Sequence, residues 1–281
     1  MSVDILQEKI RKTKNPSVLE LNLSVSDLPP QCEDYGDFCC QLLAGMKGVV
    51  PAVRFSFSAF ALNASLDVLK QTMAYAAEQG YYVLLDAPEI LSPASAKMTA
   101  EAILGEGSAY VCDGLVISGY LGSDVIKPFL PYCKKQGKDI FVVARTANKS
   151  APELQDLLSG TRLVHAAAAD HVNRYGAETA GKSGYTRVGI LAAASAAESL
   201  RSLRSKYPKL FFLLDGYDYP NANAKNCSFA FDKYGHGAAV CSSAIGCAWK
   251  ESESDDSDFA DAAKEAALRM KKNLTRYVTV L

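Results

Sequence analysis

Tyr81-Tyr82-Val83-Leu84-Leu85-Asp86-Ala87-Pro88-Glu89-Ile90-Leu91-Ser92-Pro93 is the stretch whose reading decides the fold. The five apolar residues between Gly80 and Asp86 do not alternate with polar ones, so they read as a short strand buried on both faces. Pro88 has no amide to continue a ladder, which ends the strand near Asp86. On the N-terminal side, Leu66, Leu69, Met73 and Ala76 recur at helical spacing, and Gly80 stops that helix. Residues 95 to 104 read as the helix that follows. A buried strand between two helices is the unit of a parallel sheet, and in barrels built from it the chemistry sits at strand C-terminal ends.

The same unit recurs outward in both directions. Residues 17 to 23, 48 to 55, 113 to 118, 139 to 145, 187 to 192, 209 to 215 and 237 to 242 are apolar runs of similar length, and helix-period segments separate them. Helices are predicted over 34 to 47, from Ser123 or Asp124 to Gly137, over 151 to 159, 163 to 178, 195 to 206 and 259 to 275. No linker-like Pro, Ser or Gly run divides the chain. Residues 1 to 281 therefore predict one α/β domain, a closed (β/α)8 TIM barrel rather than an open doubly wound sheet, with a capping helix at about 3 to 14.

Composition narrows the function classes. The 281 residues are 49% apolar and 22% charged with a net charge of -1, which provides no basic field for a nucleic-acid backbone. No run of 18 apolar residues appears, and the first ten residues are amphipathic without a signal-peptide core, so the expectation is a cytoplasmic protein with no membrane partner. The eight cysteines form no C-x-x-C pair and have no histidine at ligand spacing, which favours reduced thiols and no metal site. The acidic run from 251 to 258 lacks the glycine turn of a calcium loop and reads as a solvated loop.

Taken strand by strand, the chain resembles a bacterial orotidine 5'-phosphate decarboxylase of the longer type. The segments that carry the resemblance are Gly119-Tyr120-Leu121-Gly122-Ser123-Asp124 with Lys127-Pro128-Phe129, then Val142 to Asn148, Tyr185 to Gly189, Gly216-Tyr217 and Ser242-Ser243. The resemblance implies decarboxylation of a pyrimidine nucleotide without a cofactor, in a homodimer. It also implies a lysine at the second strand end, an Asp-x-Lys-x-x-Asp motif at the third, and a Gly-Leu-Asp-Pro turn at the first. A glutamine and an arginine on the last two strand ends would hold the phosphate. Carried onto this sequence, Asp86 matches, but the other positions hold Asn22, Arg54, Pro88, Leu91, about Pro220, and Ala244.

Those replacements have physical consequences. A lysine ammonium can hand a proton to the carbon that loses carbon dioxide while stabilising its negative charge, and proline can do neither. Arg54 keeps its proton, since guanidinium titrates above about 12. A lost charge-assisted hydrogen bond to phosphate costs about 1.5 to 3 kcal/mol, and Asp215 and Asp218 add repulsion where the anion would sit. The candidate site is therefore Asp86 and Arg54 as remnant catalytic positions. Asn22, Arg145, Asn148, Asp215, Ser242 and Ser243 are its candidate ligand-binding residues.

Bland readings stand beside these. Asp86 also suits a turn cap or a partner for Arg54, and Arg145 with Asn148 also suits a structural clasp of the fifth loop. His165 and His171 fall on a helix remote from the strand ends, and His236 precedes the last strand on the opposite face. The expected function is a decarboxylase-family barrel without that activity, binding a nucleotide-like or other anionic small molecule. Two alternatives stay open: an active decarboxylase or altered lyase with rearranged residues, and a non-catalytic scaffold or regulatory partner.

Overall fold

The structure, a computed structural model, describes residues 2–32, 34–251 and 259–280. Ten strands occur in chain order among the described residues: β1 (Ser17–Leu21), β2 (Ala52–Ser56), β3 (Tyr82–Asp86), β4 (Gly114–Ser118), β5 (Asp139–Val143), β6 (Leu158–Ser159), β7 (Arg162–Leu163), β8 (Thr186–Ala193), β9 (Leu210–Asp215) and β10 (Ala238–Ser242). Eight of them close into a parallel barrel in the order β1-β10-β9-β8-β5-β4-β3-β2. The chain is a (β/α)8 TIM barrel, and the apolar run that opens at Tyr82 is one of its staves.

Strand alternation sorts each stave into two cores. Val83 and Leu85 of β3 join Val53, Phe55, Ile140 and Val142 in the cluster that packs against the surrounding helices. Tyr82 and Leu84 face the other way and join Val18, Ala52, Phe141, Phe211 and Leu213. Val3, Leu6 and Ile10 belong to this second cluster, so the helix Ser2–Thr13 stoppers the N-terminal mouth of the barrel. Asp4 on that helix accepts the backbone amides of Lys182 and Ser183, which fixes the stopper to the loop before β8.

Counting two residues along the inward rows puts polar groups at the far mouth. Glu20 follows Val18, Arg54 follows Ala52, Asp86 follows Leu84, and Asp215 follows Leu213. Register does the rest, because Glu20 pairs with Arg54 across β1 and β2, and Ser56 pairs with Asp86 across β2 and β3.

Several connections differ from the sequence expectation. A helix, Phe57–Asn63, starts directly after β2, where Ser56 caps it by accepting the Ala59 amide. The segment expected as helix over 151 to 159 is the single turn Pro152–Gln155 followed by the β6 and β7 hairpin, which reverses through Gly160 at φ +65°. Between β4 and β5 the chain makes two 3-10 turns before the helix Leu130–Lys135, because Pro128 and Pro131 each remove an amide that a longer helix would need. The acidic run from 252 to 258 lies outside the described residues.

Candidate functional site at the C-terminal mouth

The guanidinium of Arg54 fills the centre of the inward layer. Its Nε donates to Asp86 Oδ1 at 2.7 Å and its Nη1 to Asp215 Oδ1 at 2.6 Å, while Glu20 Oε1 lies 3.3 Å from Nη1. Three strands are therefore tied to one side chain of a fourth. Arg54 and Glu20 are 8% and 9% exposed at their side chains, against 24% and 23% for Asp86 and Asp215, so the two aspartates form the more exposed edge of the cluster and Arg54 with Glu20 its buried part.

One cation faces three carboxylates, and burial decides how they share charge. Burial opposes charge on Arg54, yet Asp86, Glu20 and Asp215 together hold it well above the ordinary guanidinium value. Burial pushes the Glu20 carboxyl up to about 7, with Arg54 pulling it down and Asp215 and Asp86 pushing it further up. Burial also raises Asp86 against the pull of Arg54. Glu20 therefore changes charge close to neutrality, while the hydrogen bonds of Arg54 run to the two aspartates.

Sequence reasoning placed Asn22 at this mouth and passed over Glu20. Asn22 is exposed just beyond β1, whereas Glu20 is inside the strand and points inward. The signal was available in Leu19, Leu21 and Leu23, whose parity sends the even positions to the barrel axis.

A second constellation lies at the ends of β9 and β10. Gly216 turns at φ +70°, where an added Cβ would lie 2.2 Å from Ala147, and this turn folds the following loop back across the mouth. Asp218 on that loop accepts the Ser242 hydroxyl at 2.7 Å, the Ser243 amide at 2.8 Å and the Ala244 amide at 3.1 Å. The candidate binding residues Ser242 and Ser243 thus hold a carboxylate of their own chain, in a cradle of hydroxyl and backbone donors that suits an anion.

Arg145 and Asn148 are separated from the Arg54 cluster. Arg145 grips Asp156 with Nε at 3.0 Å and Nη2 at 2.8 Å, closing the loop after β5. The Asn148 amide donates to Ser150 at 3.0 Å and its carbonyl accepts the Thr146 hydroxyl at 2.5 Å. With Lys149, Ser195 and Tyr219, these two residues line a cavity of about 460 Å³ on the same face. His165, expected far from the strand ends, instead bonds Asp156 at 3.1 Å, because the hairpin turns its helix back toward β5. His171 stays on that helix and stacks on Tyr175, and His236 precedes β10 beside Asp232.

Among the described residues, no hydrogen bond or ion pair joins a lysine to Asp86, whose partner is Arg54. Besides burial, Arg54 pulls the Asp86 carboxyl down and Asp215 pushes it up, with Glu20 a third carboxyl of the same cluster. Lys149 is exposed on the 460 Å³ cavity, and Lys182 lies at the opposite mouth against Asp4. The described residues contain no cluster of ligands suited to a metal ion and no helix long and apolar enough to cross a membrane.

Comparison with known proteins gives a consistent picture. No family model matches the sequence. The chain is 30% identical over 251 residues to an orotidine 5'-phosphate decarboxylase of Rhodopirellula baltica, covering 85% of this chain and 83% of the relative. It is 32% identical over 211 residues to that of Clostridium perfringens, covering 74% and 72%. Among solved structures, Leishmania donovani OMP decarboxylase aligns with a TM-score of 0.72 at 21% identity, over 98% of this chain and 99% of that one. Plasmodium berghei orotidine 5'-monophosphate decarboxylase aligns at 0.75 with 13% identity, over 97% and 99%. These structural likenesses bear on the fold.

Proposed function

The chain belongs to the orotidine 5'-phosphate decarboxylase family, and from that membership we propose that it is a member that does not decarboxylate orotidylate. The observation that carries this reading is the closed charge cluster of Arg54 with Asp86, Asp215 and Glu20, formed where the resemblance places an alternating lysine and aspartate network. A carbanion formed beside Asp86 would need a positive group with a proton to give. Arg54 has the charge but does not release its proton, and two aspartates already neutralise it. Glu20 can hold a proton near neutrality, but it is buried beside the guanidinium and supplies no positive charge to stabilise a carbanion.

The anion cradle supports the same reading. A phosphate at Ser242, Ser243 and Ala244 must displace the carboxylate of Asp218, which already satisfies those donors. Its electrostatic repulsion and the lost hydrogen bonds weaken phosphate by about a hundredfold or more. Calorimetric titration of uridylate into the pure protein tests this. No saturable heat up to about 1 mM fits a self-filled cradle, and a dissociation constant near 1 μM contradicts it.

The proposed partner is a second copy of this chain. Leu62, Leu91, Met98 and Leu121 are exposed on the crossovers after β2, β3 and β4, which neighbour one another around the barrel. Exposed apolar side chains on neighbouring crossovers favour burial against another surface. Leu91 stands where the resemblance places the aspartate that reaches the partner's site, so this face can associate without completing a catalytic network across it. A ligand remains part of the reading too: the 460 Å³ cavity with Lys149 and Asn148 suits a small anionic molecule.

A further inference from the structure

A crevice of about 780 Å³ lies outside the barrel, bordered by the helices Val164–Gly176 and Ala197–Lys206. Arg145, Asp156, Leu163, His165, Ser199 and Leu203 are among the residues that line it. The Oγ of Ser199 lies 2.7 Å from Nε2 of His165. On the other edge of the ring, Nδ1 lies 3.0 Å from the Gln155 carbonyl and 3.1 Å from Asp156 Oδ1. Both neighbours of Nδ1 are acceptors. In the neutral ring the hydrogen therefore sits on Nδ1, and Nε2 turns its lone pair to the Ser199 hydroxyl, which donates to it.

That is the proton arrangement a serine nucleophile requires. The ring is buried and held at both nitrogens, so it is fixed in the orientation that accepts the hydroxyl proton. Asp156 is in turn fixed by the two-pronged grip of Arg145, whose hydrogen bond keeps its carboxyl below the usual carboxylate range. Ser199 is the third residue of its helix, and Ala196 caps that helix with no side-chain bond. The amides of Ala197 and Glu198 have no carbonyl one turn earlier within the helix, which leaves N–H donors and the positive end of the helix dipole beside the serine.

We infer that Ser199, His165 and Asp156 form a nucleophilic relay that hydrolyses small carboxylic esters in this crevice. Ser199 Oγ bonds to the ester carbonyl carbon as its proton passes to His165 Nε2. The carbon–oxygen bond to the alcohol then breaks, and His165 returns that proton to the departing oxygen. Water attacks the acyl–serine with His165 again taking a proton, the acid leaves, and the serine hydroxyl is restored. No electrons are exchanged, and water is the only co-reactant. Leu163 and Leu203 provide apolar contact for the acyl part.

The relay uses no residue of the Arg54 cluster, so it stands whether or not orotidylate is turned over. The experiment treats the full chain with a fluorophosphonate, maps the label by peptide mass spectrometry, and follows p-nitrophenyl acetate and butyrate hydrolysis. The expected result is a label on Ser199 that Ser199→Ala abolishes, with hydrolysis lowered about a hundredfold or more in Ser199→Ala and in His165→Gln. Ser199→Ala is small and helix-compatible, and its unchanged thermal unfolding shows that a loss is chemical. Failure to label, a label on a different serine, or hydrolysis unchanged in Ser199→Ala overturns the relay.

Discussion

Arg54 Nε meets Asp86 Oδ1 at 2.7 Å on adjacent barrel strands, and this bond ties the aspartate that matches the family motif to the arginine standing where the resemblance places the second-strand lysine. The same guanidinium holds Asp215, so removing it leaves buried Glu20 and two largely buried aspartates facing each other without a cation. Arg54→Met fills much of the same volume without charge. It is expected to lower unfolding free energy by about 3 to 5 kcal/mol at pH 7, the cost of leaving buried charge unpaired. Urea unfolding followed by circular dichroism measures it, and a loss below about 1 kcal/mol contradicts the clamp.

Glu20 gives the cluster a pH dependence of defined sign. Its carboxyl titrates at about 7 in the fold against 4.5 ordinarily, so between those values the folded chain binds more protons than the unfolded one. Stability from this group is complete below about 4.5 and is lost as pH rises through 7. Asp86 is raised too and acts in the same direction. Glu20→Gln keeps the shape but cannot ionise. It is expected to flatten the decline between pH 5 and 8 and to be more stable than the parent at pH 8, by on the order of 2 kcal/mol. Urea midpoints across that range check it, and parallel pH profiles for parent and variant contradict it.

Asp218→Ala empties the cradle at Ser242 to Ala244. The freed amides and hydroxyl lose a charge-assisted acceptor, so stability is expected to fall by about 1 to 3 kcal/mol. Millimolar inorganic phosphate should then raise the unfolding temperature of the variant and leave that of the parent unchanged. An equal response of the two proteins contradicts an internal carboxylate in an anion site.

Much of the barrel was legible because buried parallel strands leave an unbroken apolar run, as at 82 to 85 and 210 to 214, whatever surrounds them. The hairpin at 158 to 163 was not, since two-residue strands are too short for a period to show. The Arg54 to Asp86 pairing could be read from strand ends. Glu20 could be read only by following parity past the family motif. Asp218 could be placed near the anion position from its loop, but its bonds to Ser242 and the approach of His165 to Asp156 required loop geometry: a turn at Gly216 brings one to Ser242, and the hairpin brings the other to Asp156.

The exposed Leu62, Leu91, Met98 and Leu121 predict a dimer. Light scattering on the purified protein should give a mass near twice 30.2 kDa. Leu91→Asp restores a carboxylate to that face and, with Leu62→Glu, should shift the mass toward the monomer, because burying unpaired charge is costly. A monomeric parent removes this surface from the account.

The most direct test is release of carbon dioxide from orotidylate labelled at its carboxyl carbon, with pure protein at high concentration and saturating nucleotide. Position 88 holds a proline and the Asp86 carboxylate is bound to a guanidinium, so the predicted rate equals that of buffer and is the same for the parent and Asp86→Ala. Release above buffer that disappears in Asp86→Ala would show a working decarboxylase and contradict the account.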